Sequence, residues 1–269
     1  LKQVGIAIYG YENGNGIFPT SIRPGGNTAL ARVSWTINTL PYLEQDNLRK
    51  TYDLTKTWGT PENVPITAQR VKIFECPSSP SPERKDGDPQ TSTWDLVACT
   101  DYAAVTGVSA LATNVNTTGA AKPGVMQKNA EVKVAQVGDG LSNTLLAVES
   151  AGRPAIYRNG VKVGAVPTDK VNGGGWSRPA SDLDFIPSSA SGDSFPGPCA
   201  ANCTNGYQYD RYPHPSFGTE GSSAPYSFHA GAVTALFGDG AVRTLRATID
   251  AATFAALSTR DGGETFVLD

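Results

Sequence analysis

The sequence predicts an α+β fold, with a helix first, short helical and loop pieces next and an antiparallel sheet last. Three observations carry that prediction. Leu1, Val4, Ile8 and Tyr11 fall on one face of a helix. Near the other end, the apolar-rich runs Val233 to Phe237 and Ala241 to Leu245 are separated by Gly238, Asp239 and Gly240. An Asp-Gly pair between such runs is a strong hairpin signal, because both residues tolerate the positive φ of a type I′ turn. The composition agrees: 29 Gly, 19 Pro and 10 Tyr, with 17% charged residues, describe a turn-rich chain rather than a helical bundle.

The first helix occupies residues 1 to 12, and Asn13-Gly14-Asn15-Gly16 closes it with residues that accept a left-handed C-cap. Because the chain opens at Leu1 within that spacing, the helix is expected to continue an upstream segment. From Ser34 to Tyr52, Trp35, Leu40, Leu43 and Leu48 recur at roughly helical spacing, and Pro41 divides the stretch into two short helices. Thr60 and Pro61 supply an N-cap and a first-turn proline for a third, running to about Arg70. Val71 to Phe74 reads as a short strand leading into Cys76-Pro77. Residues 77 to 93 are polar and Pro-rich and read as an exposed loop. Leu96 to Val105 reads as a strand carrying Asp101-Tyr102. After a small, polar stretch from 109 to 122, valines alternate over 131 to 137. Asp139-Gly140 then turns into a buried strand ending at Glu149. Residues 151 to 224 have little periodicity and much Gly, Pro and Ser; so long an irregular stretch reads as a functional or interaction insert. The hairpin region spans 225 to 269, with a helix over Ala251 to Leu257 and a last strand over Thr265 to Leu268. The whole of 1 to 269 reads as one globular head.

A net charge of −3 offers no basic field, so nucleic acid is excluded as an expected partner. No run of about 18 apolar residues occurs. The four cysteines, Cys76, Cys99, Cys199 and Cys203, lack C-x-x-C spacing and read as two disulfides, which implies an oxidising compartment. Cys199 and Cys203 can close a small loop, leaving Cys76 with Cys99, but four cysteines allow three connectivities.

Seven motifs occur in one order: LKQVGIAIYGYENGNGIFP at 1–19, SWTINTLPYLEQDNL at 34–48, FECPSSP at 74–80, DYAAVTG at 101–107, DGLSNTLLAVE at 139–149, GPCAANCTN at 197–205, and H-x9-D-G at His229, Asp239 and Gly240. This series resembles the bacterial prepilin-type family with a C-terminal H-x9-D-G signature, domain of unknown function 1559. The resemblance spans essentially the whole chain. It implies a truncated N-terminal pilin helix packed on an antiparallel β-sheet with long loop-rich insertions, and a missing apolar N-terminal helix that anchors the protein in a membrane. It further implies a non-enzymatic pilin-like or pseudopilin-like subunit, extracellular or periplasmic, partnered by other such subunits or by secretion machinery.

Chemical readings of single residues stand beside that expectation. His229 and Asp239 form the pair around which a metal-dependent hydrolase would be built. The weightier reading is structural: Asp239 and Gly240 make the turn and His229 fixes the strand entrance. Asp182, Asp184 and Asp193 lie in loops that could offer oxygens to calcium, although no D-x-D-x-D-G loop occurs. Trp176, Tyr207, Tyr209 and Tyr212 are candidates for an exposed stacking surface of a carbohydrate- or solute-binding module, against the commoner fate of aromatics in a core. Glu149, at the end of a buried strand, is expected to pair with a cation such as Arg243.

Overall fold

The computed structural model describes residues 1–222 and 224–264. Four helices lead: α1 (Lys2–Asn15), α2 (Trp35–Thr39), α3 (Asp46–Thr51) and α4 (Val64–Thr67). Strands β1 (Lys85–Asp88), β2 (Thr93–Ala98), β3 (Tyr102–Val108), β4 (Lys122–Pro123) and β5 (Leu145–Glu149) follow. The long insert holds only the short strands β6 (Ile156–Arg158), β7 (Val161–Val163) and β8 (Leu183–Phe185). The terminal hairpin is β9 (Ala232–Phe237) and β10 (Val242–Arg246), and α5 (Ala251–Ser258) comes after it. The architecture is α+β, as the sequence predicts. Among the described residues, no helix is long and apolar enough to cross a membrane.

The central sheet runs β10-β9-β5-β3-β4, antiparallel throughout, with β8 added parallel to β3. Side chains alternate between two cores, as the period of a strand requires. Leu146, Ala104 and Leu236 face a core shared with Val4, Ile8, Phe18, Trp35, Ile37 and Leu40. Leu145, Val148, Ala103, Val105, Val233, Ala235 and Phe237 face a second core with Phe185, Tyr207 and Phe254. Coverage on both faces explains why β5 is apolar almost without interruption. Phe254 of α5 meets Phe185 at 4.6 Å between ring centroids, and Asp250 caps α5 by accepting the N–H groups of Ala252 and Thr253.

Helix α1 buries Val4, Gly5, Ala7 and Ile8. Complete burial of Val4 and Ile8 is worth about 1.5–3 kcal/mol each. The helix ends where Gly16 turns left-handed (φ 72°) and its N–H bonds Glu12 O. The helix meets the terminal hairpin at three points: Gly5 packs on Leu236 of β9, the Tyr9 hydroxyl donates to Gly238 O and Lys2 Nζ donates to Gly240 O, while the Leu1 amino group lies on the side of Cys76 and Glu149.

Several local expectations need correction. Val71 to Phe74 is no strand: Lys72–Phe74 is a 3₁₀ turn. The alternating valines of 131–137 likewise contain a 3₁₀ turn, Val134–Gln136. The polar stretch 77–93 is not all loop, because β1 lies in it and pairs with β2. What β1 buries is a carboxylate, Asp86, held by Arg178, so no apolar alternation marks it. The terminal turn is not type I′, since of Asp239 and Gly240 only Gly240 has positive φ (77°). The expected strand over Thr265 to Leu268 lies outside the described residues.

The insert folds around buried polar groups rather than an apolar stripe. Arg153 is fully buried and donates to Ser150 O and Ser181 O. Asn205 accepts the Tyr157 N–H and donates to Ala151 O and Ala155 O. Arg178 binds Asp86 and Asn172. Arg153 and Asn205 satisfy backbone groups of the insert and Arg178 fastens it to β1 through Asp86, which is how an irregular segment can be buried at all.

Candidate functional site at the entrance of the terminal hairpin

His229 lies just before β9, and two distant segments meet its imidazole. Nε2 is 3.4 Å from Cys76 Sγ and 3.3 Å from Glu149 Oε1. Nδ1 is 3.5 Å from Ser78 Oγ. Glu149 comes from the last position of β5 and its side chain is 1% exposed; its Oε2 accepts the Thr234 N–H at 2.7 Å. The His229 side chain is 42% exposed, so the cluster opens to solvent on the imidazole side alone.

Each group is held from behind. The Asp101 carboxylate accepts the N–H groups of Cys76 (2.8 Å) and Gly152 (3.1 Å), the Ser79 hydroxyl (3.0 Å) and the Arg84 guanidinium. The loop after Phe74 is thereby tied to the turn between β2 and β3. The Cys199–Cys203 disulfide closes a tight loop that presents Asn202 with left-handed φ (64°). Asn202 accepts the Ser227 N–H and donates to Ala232 O, bracketing His229 on both sides. Ser227 Oγ accepts the His229 N–H at 3.0 Å. FECPSSP, DYAAVTG, the LLAVE strand, GPCAANCTN and the histidine of H-x9-D-G, scattered in sequence, therefore converge on one spot.

Thiol, carboxylate and imidazole together are donors suited to a borderline transition metal, and Cys76, Glu149 and His229 have donor atoms within 4.8 Å of one another. Burial, reinforced by Glu149, pushes the Cys76 thiol up to about 11. A cysteine nucleophile needs the opposite shift.

The other sequence candidates fall elsewhere. His229 and Asp239 sit beyond opposite ends of β9, whose six residues span about 20 Å, so they form no pair. Asp239 accepts from Ala241 N and binds Arg243. Arg243 is therefore not the partner of Glu149, which has His229 instead. Cys76 and Cys99 are free thiols, a correction with a plain cause. Cys76 faces His229, while Cys99 is enclosed near Arg84, Asp86, Asp101 and Arg153. Cys199–Cys203 forms as expected.

Trp176, Tyr207 and Tyr209 are 1–4% exposed and serve the cores, so they offer no stacking platform. Tyr212 lines a polar surface groove with Trp58, Arg178 and Glu220. Of the three aspartates, Asp193 is exposed and capped by Ser189, Ser191 and Ser194. Asp182 is buried, and the three do not gather as a metal-binding group among the described residues.

Sequence reasoning singled out His229 but missed its companions. Cys76 was assigned to a disulfide and Glu149 to an arginine. The available signal was that both lie within motifs of the same series as His229.

Residues 1–252 match the family model SBP_bac_10, described as a protein of unknown function (DUF1559). No curated protein and no solved structure matches the chain.

Proposed function

The chain belongs to the DUF1559 family, SBP_bac_10, and from that premise we propose that it is the head of a non-enzymatic, prepilin-type structural subunit at the cell surface, pilin-like or pseudopilin-like. One observation carries the reading: α1 is fastened to the terminal hairpin at three points along its length. Gly5 brings the helix backbone so close to Leu236 that an added Cβ would sit 2.8 Å from Leu236 Cδ1. Tyr9 bonds the hairpin turn at Gly238, and Lys2 Nζ donates to Gly240 O at 3.2 Å. A helix fixed to a sheet in this way can transmit a membrane anchor or filament contact to a rigid head. The H-x9-D-G signature acquires a mechanical meaning, since its turn end seats α1 and its histidine end closes the strand entrance.

The test is surface exposure of the natural gene product. Intact cells of the source organism are treated with a protease and with a membrane-impermeant biotin reagent, and the head is followed by antibody. The reading expects labelling and cleavage without lysis. A head protected in intact cells and recovered in the cytoplasmic fraction overturns it.

A further inference from the structure

We propose that Cys76, Glu149 and His229 bind one divalent transition metal ion of the zinc class, which clasps the loop after Phe74, the end of β5 and the approach to β9. The donors are the three side-chain types that zinc takes, and the thiol sets the site apart from calcium or magnesium, which take oxygen. The spacing fits as well. Around a tetrahedral ion with bonds of about 2.0–2.3 Å, neighbouring donor atoms lie roughly 3.3–3.6 Å apart. Here Nε2 stands 3.3 Å from Glu149 Oε1 and 3.4 Å from Cys76 Sγ.

The supports are those of a metal site. Glu149 Oε2 is taken by the Thr234 N–H, which leaves Oε1 aimed at the cluster. Ser78 Oγ faces Nδ1, the ring nitrogen that a metal on Nε2 leaves to a neighbouring partner. Asp101 fixes the backbone of Cys76. A carboxylate buried as deeply as Glu149 gains most from a cation. The half-exposed imidazole leaves a way in from solvent. On binding, the Cys76 S–H bond breaks, the sulfur electron pair bonds the metal and the proton goes to water. The clasp lies where Leu1 borders Cys76 and Glu149, so it would stiffen the part of the head from which α1 runs.

Cobalt(II) titration of the purified 269-residue chain, stripped with EDTA, tests the site. The expected result is one Co²⁺ per chain, a thiolate-to-cobalt charge-transfer band in the near ultraviolet, and loss of the band on adding Zn²⁺. C76S should abolish the band. H229A, whose side chain is half exposed so that the fold is expected to survive as read by circular dichroism, should weaken binding by more than the 10–100-fold typical of losing a supporting partner. H214A should leave both band and affinity unchanged. Absence of a thiolate band in the unmodified chain overturns the proposal. So does unchanged affinity in a folded H229A, or rapid alkylation of Cys76 by iodoacetamide at neutral pH with Zn²⁺ present.

Discussion

The Asp182 carboxylate is buried, and among the described residues neither oxygen has a well-formed hydrogen bond, the Ser21 side chain being the nearest candidate. Burial, only partly offset by Lys128, raises its pKa to about 6. In the unfolded chain the value is about 3.9, so the folded state holds the proton more tightly. The stability this group contributes is present below about pH 4 and is lost as pH rises through about 6, on the order of 2–3 kcal/mol in total. Urea unfolding at a series of pH values should show that slope in the natural chain and its loss in D182N. Equal slopes in the two would refute the assignment. Arg178 presents the reverse case. Its guanidinium neutralises Asp86, and both side chains are at most 3% exposed. R178A leaves a buried charge alone and should cost about 3–5 kcal/mol, measured in the same assay. Neither residue was legible in the sequence as part of a network. The partners of Arg178 stand 6 and 92 positions away, and no local spacing encodes the second. Cys76 and His229 are farther apart still, at 153 positions; only the folded chain, through Asp101 on one side and Asn202 and Ser227 on the other, brings them together.

Helix α1 and the terminal hairpin were the most legible elements, because one is announced by 3.6-residue spacing and the other by Gly238-Asp239-Gly240. β5 and α5 were legible too, the first as an apolar run and the second as a helix over 251 to 257, whose Asp250 cap only the coordinates show. β1 was not, because its buried side chain is charged. The α1–β9 contact yields two predictions. G5L drives a side chain into fully buried Leu236 and should destabilise by roughly 1–3 kcal/mol. G10A sets its Cβ 2.5 Å from Cδ1 and 3.0 Å from Cγ of half-exposed Tyr42. The ring must move, but at the surface, and alanine's helix propensity partly offsets the cost, so the loss should be smaller than that of G5L. Thermal melts of the two variants decide the matter, and equal losses would mean that the close approach to Leu236 is unimportant. In the turn, G240A forces alanine into a left-handed conformation, its Cβ in ordinary contact with the Tyr9 ring at 3.5 Å, and should cost about 1–2 kcal/mol.

Over the chain as a whole, one sheet covered on both faces unites α1, the insert and α5. The disulfide ties the insert to the hairpin through Asn202. The C199S/C203S pair should lose about 2 kcal/mol, the chain-entropy value for so short a loop, detected as a lower urea midpoint than that of the oxidised chain. The α+β class was readable from element order alone, whereas the grip of the hairpin on α1 required coordinates, since Tyr9 and Gly238 are 229 residues apart. That grip supports the proposed subunit, in which a prepilin-type helix and its head move as one body. The most direct check is the state of the natural protein in cells with and without prepilin peptidase, read by mass spectrometry of its N-terminus and by membrane fractionation. The account predicts a leader removed in the normal cells, an uncleaved leader in the peptidase deletion, and a membrane-held head. An N-terminus indifferent to the peptidase, on a protein found in the cytoplasm, would contradict it.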